Sequence, residues 1–442
     1  MTTDHFAATV TDAPVAPTEL SPSARHGIFL YLGVLIVLLA FGNPSIGLID
    51  IPVSFFLKNR LHLSAHEVAN FRLVVAIPLY LSFVFGFIRD MWNPLGMKDR
   101  GFMLLFGGIT ALLYLCFAFA SMSYAMLLVA MLLLTASFLF VWSAQNGLTS
   151  TIGQQHAMSG QVSAAWNVFL AVPTVASLLI GGALSGMLEE ENPDQAVRIL
   201  FLVGAAVMVA IALYAFWKPK AVFDNVHSEV DGRPIKDLMR LLRHRPIYPA
   251  LLIWLLWCFA PGSTTPLQYY LQNALHATDA QWGQWNAIFA ASFIPTFIVY
   301  GMLCRRFPLK TLLLWGTVVA IPQMIPLLYI QTVDQALIAA VPIGLMGGVA
   351  TGAYLDLIIR SCPRGLQGTM LMMSYSLYFG ALRFGDVLGT HLYDRYGGFT
   401  VCVVAITIVY ALILPALWLV PRHLTATADG QPPKSGLRRT ER

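Results

Sequence analysis

The sequence predicts an all-α polytopic membrane protein, with twelve transmembrane helices in two six-helix bundles. Three observations carry that reading. Of 442 residues, 57% are hydrophobic and 11% charged, against about 25% charged in a soluble domain. Mean hydropathy is +0.69. The apolar residues number about 250, and twelve spans of about 20 residues would use about 240 of them. A soluble enzyme, a nucleic-acid-binding module and a disordered chain are excluded. The five cysteines are odd in number and lack a C-x-x-C pair, so they read as small apolar packers rather than a disulfide framework.

Taken in chain order, residues 1–26 are polar and lack a short apolar core before a cleavage site, so they read as a cytoplasmic tail. Apolar runs follow at 28–57, 67–89, 101–120, 125–149, 162–188 and 198–217, then at 246–272, 281–303, 311–330, 335–360, 366–390 and 399–420. Each exceeds about 18 residues, twice the length of a barrel strand, so helices are chosen. The organisation is a first bundle at 27–217, a linker at 218–245, a second bundle at 246–420 and a tail at 421–442. Within the linker, Lys236–Arg245 reads as a short amphipathic surface helix, solvated or touching anionic lipid.

Charge sets the orientation. Of 27 Lys and Arg, only Lys58, Arg60, Arg198 and Arg395 fall on one side, and Arg72 and Arg383 lie inside spans. The rest share the other side, which the positive-inside rule makes cytoplasmic. Both termini and the linker then face the cytoplasm of a cell inner membrane.

The two halves read as copies. Phe41-Gly42-Asn43-Pro44-Ser45 in span one matches Phe259-Ala260-Pro261-Gly262-Ser263 in span seven. Gly86 and Gly301 end spans two and eight before basic loops, and Gly160 and Gly368 open spans five and eleven. The near-constant offset argues for a six-plus-six parallel duplication.

Gly86-Phe-Ile-Arg-Asp90, followed by Gly96-Met-Lys98-Asp-Arg100, is similar to the loop between helices two and three of the major facilitator superfamily. The longer gap before the second glycine resembles the folate–biopterin transporter branch. So does Arg360-Ser-Cys362-Pro363-Arg364-Gly365-Leu-Gln367-Gly368-Thr369, although Gln367 replaces that branch's glutamate. The resemblance implies a twelve-helix fold, a cytoplasmic latch through Asp90 and its neighbours, and a pterin-like substrate. The second copy has Arg305 where the first has Asp90, so a latch of this kind is expected on one half only.

Candidate binding residues cluster where Pro44 and Pro261 interrupt corresponding helices and free backbone carbonyls. They are Asn43, Ser45, Ser263, Thr264, Thr265 and Gln268, with packing kinks as the plain alternative. Gln145, Asn146, Thr149 and Asn167 are further polar candidates, for substrate or for bridging helices. Charges inside spans are costly. Asp50, Arg72, Arg383 and Asp386 fall in the outer half, which predicts an Arg72–Asp386 contact, or one through Arg383, as an outer gate. Asp386 could also neutralise Arg383 along one helix. Asp356, with Arg360 four residues on, reads as a surface pair or an inner gate. Trp254, Trp257, Trp282 and Trp285 read as interface belt, with a stack against substrate as the alternative. Gly348-x3-Gly352 and Gly385-x3-Gly389 read as packing seams.

The expected function is secondary active transport of a small polar or anionic organic solute by alternating access, as symporter or antiporter. Arg383 suits a carboxylate or phosphate. Protonation of Asp50, Asp356 or Asp386 is the candidate coupling step. Expected partners are the solute, the lipid bilayer and protons; nucleic acid is not among them. The chain is expected to be a monomer, with no cofactor or metal and no enzymatic activity. A non-transporting assembly factor and a membrane-embedded enzyme are the alternatives.

Overall fold

The computed structural model describes residues 20–431, apart from 46–47, 50–52, 54–55, 58–60, 63–64, 121–122, 190–192, 224–233 and 397. Asp50 therefore lies outside the described residues. Every regular element among those described is helical.

Span one is Pro22–Gly42, begun by a Ser21 cap that accepts the Ala24 amide and by a proline in the first turn. It starts inside the stretch expected to be tail. Span two is broken into Ala65–Val75, Ile77–Tyr80 and Ser82–Met91, with Pro78 in the middle piece. Spans three to six are Asp99–Ala118, Tyr124–Gln155, Ser159–Glu189 and Pro193–Tyr214. The linker holds a helix at Pro234–Arg243, two residues ahead of its expected start.

Span seven is Ile247–Cys258, a break, then Thr265–Tyr269 running into Tyr270–Ala274. The break falls on Pro261-Gly262, and Gly262 takes φ 103°, where a Cβ would collide with Cys402. Spans eight to twelve are Asp279–Leu303, Leu309–Ala320 with Ile325–Leu328, Val333–Ser361, Gln367–Tyr396, and Phe399–Ala411 with Ile413–Leu417. Among the described residues, seven helices are long and apolar enough to cross a membrane alone. The broken spans two and seven fall short in length, and span eleven carries Arg383 and Asp386 in its middle.

Buried side chains form two cores. One gathers residues from Ile28 to Val222, with Met372 as a visitor from span eleven. The other gathers residues from Leu241 to Val420, with Ala164 as a visitor from span five. Spans five and eleven thus tie each bundle to the other. Spans two and eleven approach most closely at Gly86, where a Cβ would run into the Gly368 carbonyl oxygen. Ser82 reinforces that seam, donating to the Met372 carbonyl at 2.8 Å and lying 2.9 Å from the Ser376 hydroxyl.

The belt reading is corrected for Trp285, while Trp254, Trp257 and Trp282 are half-buried. Trp285 is buried and stacks on Trp282 and Phe289. Trp257 stacks on Tyr410, and Trp254 donates its indole N–H to the Ser374 carbonyl at 2.9 Å. For Trp285, burying a large aromatic inside the second bundle outweighs leaving it at the rim.

Replacing Gly86 by valine forces three carbon atoms against backbone that cannot yield. An overpacking cost of about 1–3 kcal/mol is expected, read as a lowered melting temperature of purified protein, with Gly108→Val, where no atom lies within 4 Å of a Cβ, as the neutral comparison.

Candidate functional site

Two features stand out between the bundles: a pair of carboxylate-closed seams at the cation-rich end, and a cavity in the other half of the molecule.

The first seam starts from the last turn of span two. Asp90 accepts the backbone N–H of Gly368 at 3.1 Å and of Thr369 at 2.6 Å, and the Thr369 hydroxyl at 2.6 Å. Those amides belong to the first turn of span eleven, which has no carbonyl partner for them within its own helix. Asp90 therefore acts as an N-cap supplied by the opposite bundle, with its charge at the positive end of the helix dipole. Arg89 bridges Asp90 at 2.7 Å and Asp99 at 2.6 Å. Its guanidinium lies where a Cβ on Gly147 of span four would sit. Gln154 of span four completes the seam, donating to the carbonyls of Ile359 and Cys362 at 2.8 and 2.7 Å.

The second seam repeats this design on the other copy. Asp429 accepts the backbone N–H of Gln161 at 2.9 Å, in the first turn of span five. Gly160, the counterpart of Gly368, leaves room for it, since a Cβ there would meet carboxylate oxygens of Asp356 and Asp429 at 2.8 and 3.1 Å. Arg360 joins Asp356 at 2.8 Å and Asp429 at 2.7 Å, and reaches the Ser159 hydroxyl at 3.1 Å. The Tyr300 hydroxyl donates to Asp356 at 2.9 Å. Asp356 is fully buried, which corrects the surface-pair reading. Asp429 lies in the stretch expected to be tail, and sequence reasoning missed it. Its one available signal was the lack of a carboxylate at Arg305, which left a helix N-terminus without a partner.

The cavity has a volume of about 360 Å³. Ser45, Arg72, Thr264, Thr265, Gln268, Arg383 and Asp386 all line it, together with the aromatic rings of Phe71, Tyr80, Trp282 and Phe379. The two bundles contribute opposite walls. Asp386 is held by Thr265, through its amide at 2.9 Å and its hydroxyl at 2.8 Å, and by the Thr264 hydroxyl. These bonds fix the broken part of span seven onto span eleven. Gly385 and Gly389 let the break lie close, where a Cβ would meet backbone of Ala260 and Gly262. Arg383 is exposed in this cavity and makes no ion pair or hydrogen bond among the described residues. The expected gating pairs are thus corrected: Asp386 spends its oxygens on Thr264 and Thr265, because those donors sit at a helix break that needs an acceptor.

The remaining candidates are brought elsewhere. Asn43 closes span one, its side-chain oxygen accepting the Ser45 amide at 2.9 Å. Ser263 donates to the Ala260 carbonyl at 3.0 Å. Gln145 donates to Thr149 at 2.7 Å, Asn146 to the Trp142 carbonyl at 3.0 Å, and Asn167 to the Ser163 carbonyl at 2.8 Å. All three are buried and bonded along their own helices.

Comparison with known proteins decides the family. The model of the Major Facilitator Superfamily matches residues 157–385, more than half of the chain. This protein belongs to the major facilitator superfamily. Among curated superfamily relatives, the folate-biopterin transporter of a Synechocystis strain is 22% identical over 404 residues, covering 86% of this chain and 80% of its own. Folate transporter 2 of Plasmodium falciparum is 21% identical over 323 residues, covering 72% and 68%. Among solved structures, FucP in the outward conformation superposes with a TM-score of 0.68 at 16% identity, covering 89% of this chain and 99% of that one. The proton:xylose symporter XylE superposes with a TM-score of 0.67 at 11% identity, covering 89% and 96%. The protein is a multi-pass membrane protein of a family of secondary transporters that bind small molecules.

Asp90→Asn removes an acceptor from buried amides, at a cost of about 1–3 kcal/mol. Labelling of Cys362, 5% exposed beside this seam, should therefore accelerate about tenfold or more, followed with a thiol reagent on purified protein. Burial, and then the negative charge of Asp356, raise the Asp429 pKa from 3.8 to about 6 despite Arg360. The docked tail thus binds a proton that a released tail with an ordinary pKa gives up. Docking strengthens as pH falls through 6, by about tenfold between about pH 7 and pH 5. Spin labels at Gln431 and Lys310 would report it, and Asp429→Asn should erase the pH dependence.

Proposed function

We propose that this protein is a secondary active transporter that moves a small organic anion by alternating access, with Arg383 as the anion-binding residue. The carrying observation is the guanidinium of Arg383, exposed in the cavity between the bundles without an ion pair among the described residues. A cation in such a place is costly unless a ligand completes it, and a planar guanidinium matches a carboxylate in two parallel hydrogen bonds. The aromatic rings around it favour a solute with a flat ring. A folate, a flat pterin ring joined to carboxylates, fits both halves of that description, and the names of the curated relatives support the same class.

In this reading the cation-rich end faces the cytoplasm, with residues 218–245 and both termini on that side of the cell inner membrane. The bundles at 27–217 and 246–420 rock about the cavity. Asp90, Gly86, Asp356 and Asp429 work as the inner gate, and the state described is closed to the cytoplasm. Arg72 and Asp386 flank the outer approach. Asp386 is the candidate proton site, since protonation would release Thr264 and Thr265 and loosen the break in span seven. Ser45, Thr264 and Gln268 offer hydrogen bonds to the solute; Asn43, Gln145, Asn146, Asn167 and Ser263 support the walls.

The test is uptake into proteoliposomes together with a thermal-shift screen of folates, pterins and other small anions. Arg383→Gln should weaken anion binding about tenfold to a hundredfold, the worth of a charge-assisted hydrogen bond, and Arg383→Lys should restore part of it. Binding unchanged in both variants would overturn the assignment. Uptake indifferent to a pH gradient and to Asp386→Asn would remove the proton.

A further inference from the structure

A second cavity, of about 870 Å³, opens sideways between span one, span five and span eight at the cation-rich end. Its rim carries Arg25 from the first bundle and Arg305 and Arg306 from the second. Its wall is apolar, and on span eight Ile298, Val299 and Met302 are 52%, 41% and 56% exposed. From Phe297 to Arg305 the wall descends about 12 Å at about 1.5 Å per residue, the reach from headgroup level into acyl chains. None of the three arginines makes an ion pair among the described residues. Arg25 rests over the Phe29 ring, 5.9 Å from its centre. The side-chain oxygen of Gln161, which also lines the cavity, is buried without a hydrogen-bond partner.

We infer that this groove binds an anionic, hydroxyl-bearing phospholipid of the phosphatidylglycerol type, taken from the leaflet at the cation-rich end. The phosphate meets the three guanidiniums, the unpartnered Gln161 oxygen accepts a headgroup hydroxyl, and an acyl chain covers the apolar wall. The site depends on closure of the adjacent seam, because Gln161 also carries the amide that Asp429 caps. The like charges of Arg25 and Arg305 face one another only when the bundles meet, so an anion between them favours that closed arrangement. The lipid is thus a ligand of one conformation, distinct from any transported solute.

The test uses full-length protein in phosphatidylcholine vesicles with or without phosphatidylglycerol. Lipid retained after extraction is identified by mass spectrometry. Phosphatidylglycerol should be enriched over its share of the vesicle, and the Arg25→Gln, Arg305→Gln and Arg306→Gln variants should lose it by about fivefold per arginine. The linker triple Arg240→Gln, Arg243→Gln, Arg245→Gln removes the same charge from the same end and should retain the lipid. A photo-crosslinking residue at Ile298 should capture phosphatidylglycerol, whereas one at the lipid-facing Leu314 should capture both lipids alike. That arm needs no arginine variant to fold. A loss from the linker triple equal to that from the groove variants, capture at Ile298 without headgroup preference, or displacement by glycerol phosphate in the water would each overturn the assignment.

Discussion

The arrangement depends on a carboxylate from one bundle satisfying the exposed amides at the start of a helix in the other. A helix start presents N–H groups with no partner of their own. The carboxylates of Asp90 and Asp429 are buried where they meet such amides, and an unsatisfied buried amide is expensive. Asp90 meets this need for span eleven, and Asp429 meets it for span five. The interaction is short-ranged and directional, so it exists when the halves are together and vanishes when they part. A contact of that kind favours two distinct arrangements over a continuum wherever two packed bodies can separate.

Glycine makes these contacts possible. Gly86 against Gly368, and Gly160 under Asp356 and Asp429, let backbone and carboxylate come within hydrogen-bonding reach. The small residues therefore do geometric work at the seams, while Arg89 and Arg360 balance the buried negative charge beside each cap. At the far end of the molecule the same logic serves a different purpose. Asp386 ties the broken span seven to span eleven, which leaves Arg383, one turn earlier, facing the cavity without an ion pair among the described residues.

Much of this was legible in the sequence, for physical reasons. Twelve apolar runs and a lopsided distribution of cations are set by the bilayer, which acts on each segment separately. Pro44 and Pro261 announce broken helices because proline removes an amide wherever it sits. Asp90 was legible through its motif. Asp429 was not, because a polar residue after the last span looks like solvated tail until the fold brings span five beside it. The partners of Asp386 and Arg383 were misjudged for a related reason. Helical spacing puts the two charges side by side, but the threonines of the broken segment compete more effectively for the carboxylate. Trp285 was taken for a rim residue on spacing alone, whereas burial depends on which face the neighbouring helices cover.

Because Asp429 follows span twelve in the chain, the two seams cannot mature together during biosynthesis. The cap on span eleven needs only that helix to have left the ribosome. The cap on span five must wait for translation to pass the final span, so a newly inserted polypeptide is fastened along one edge before the other can close.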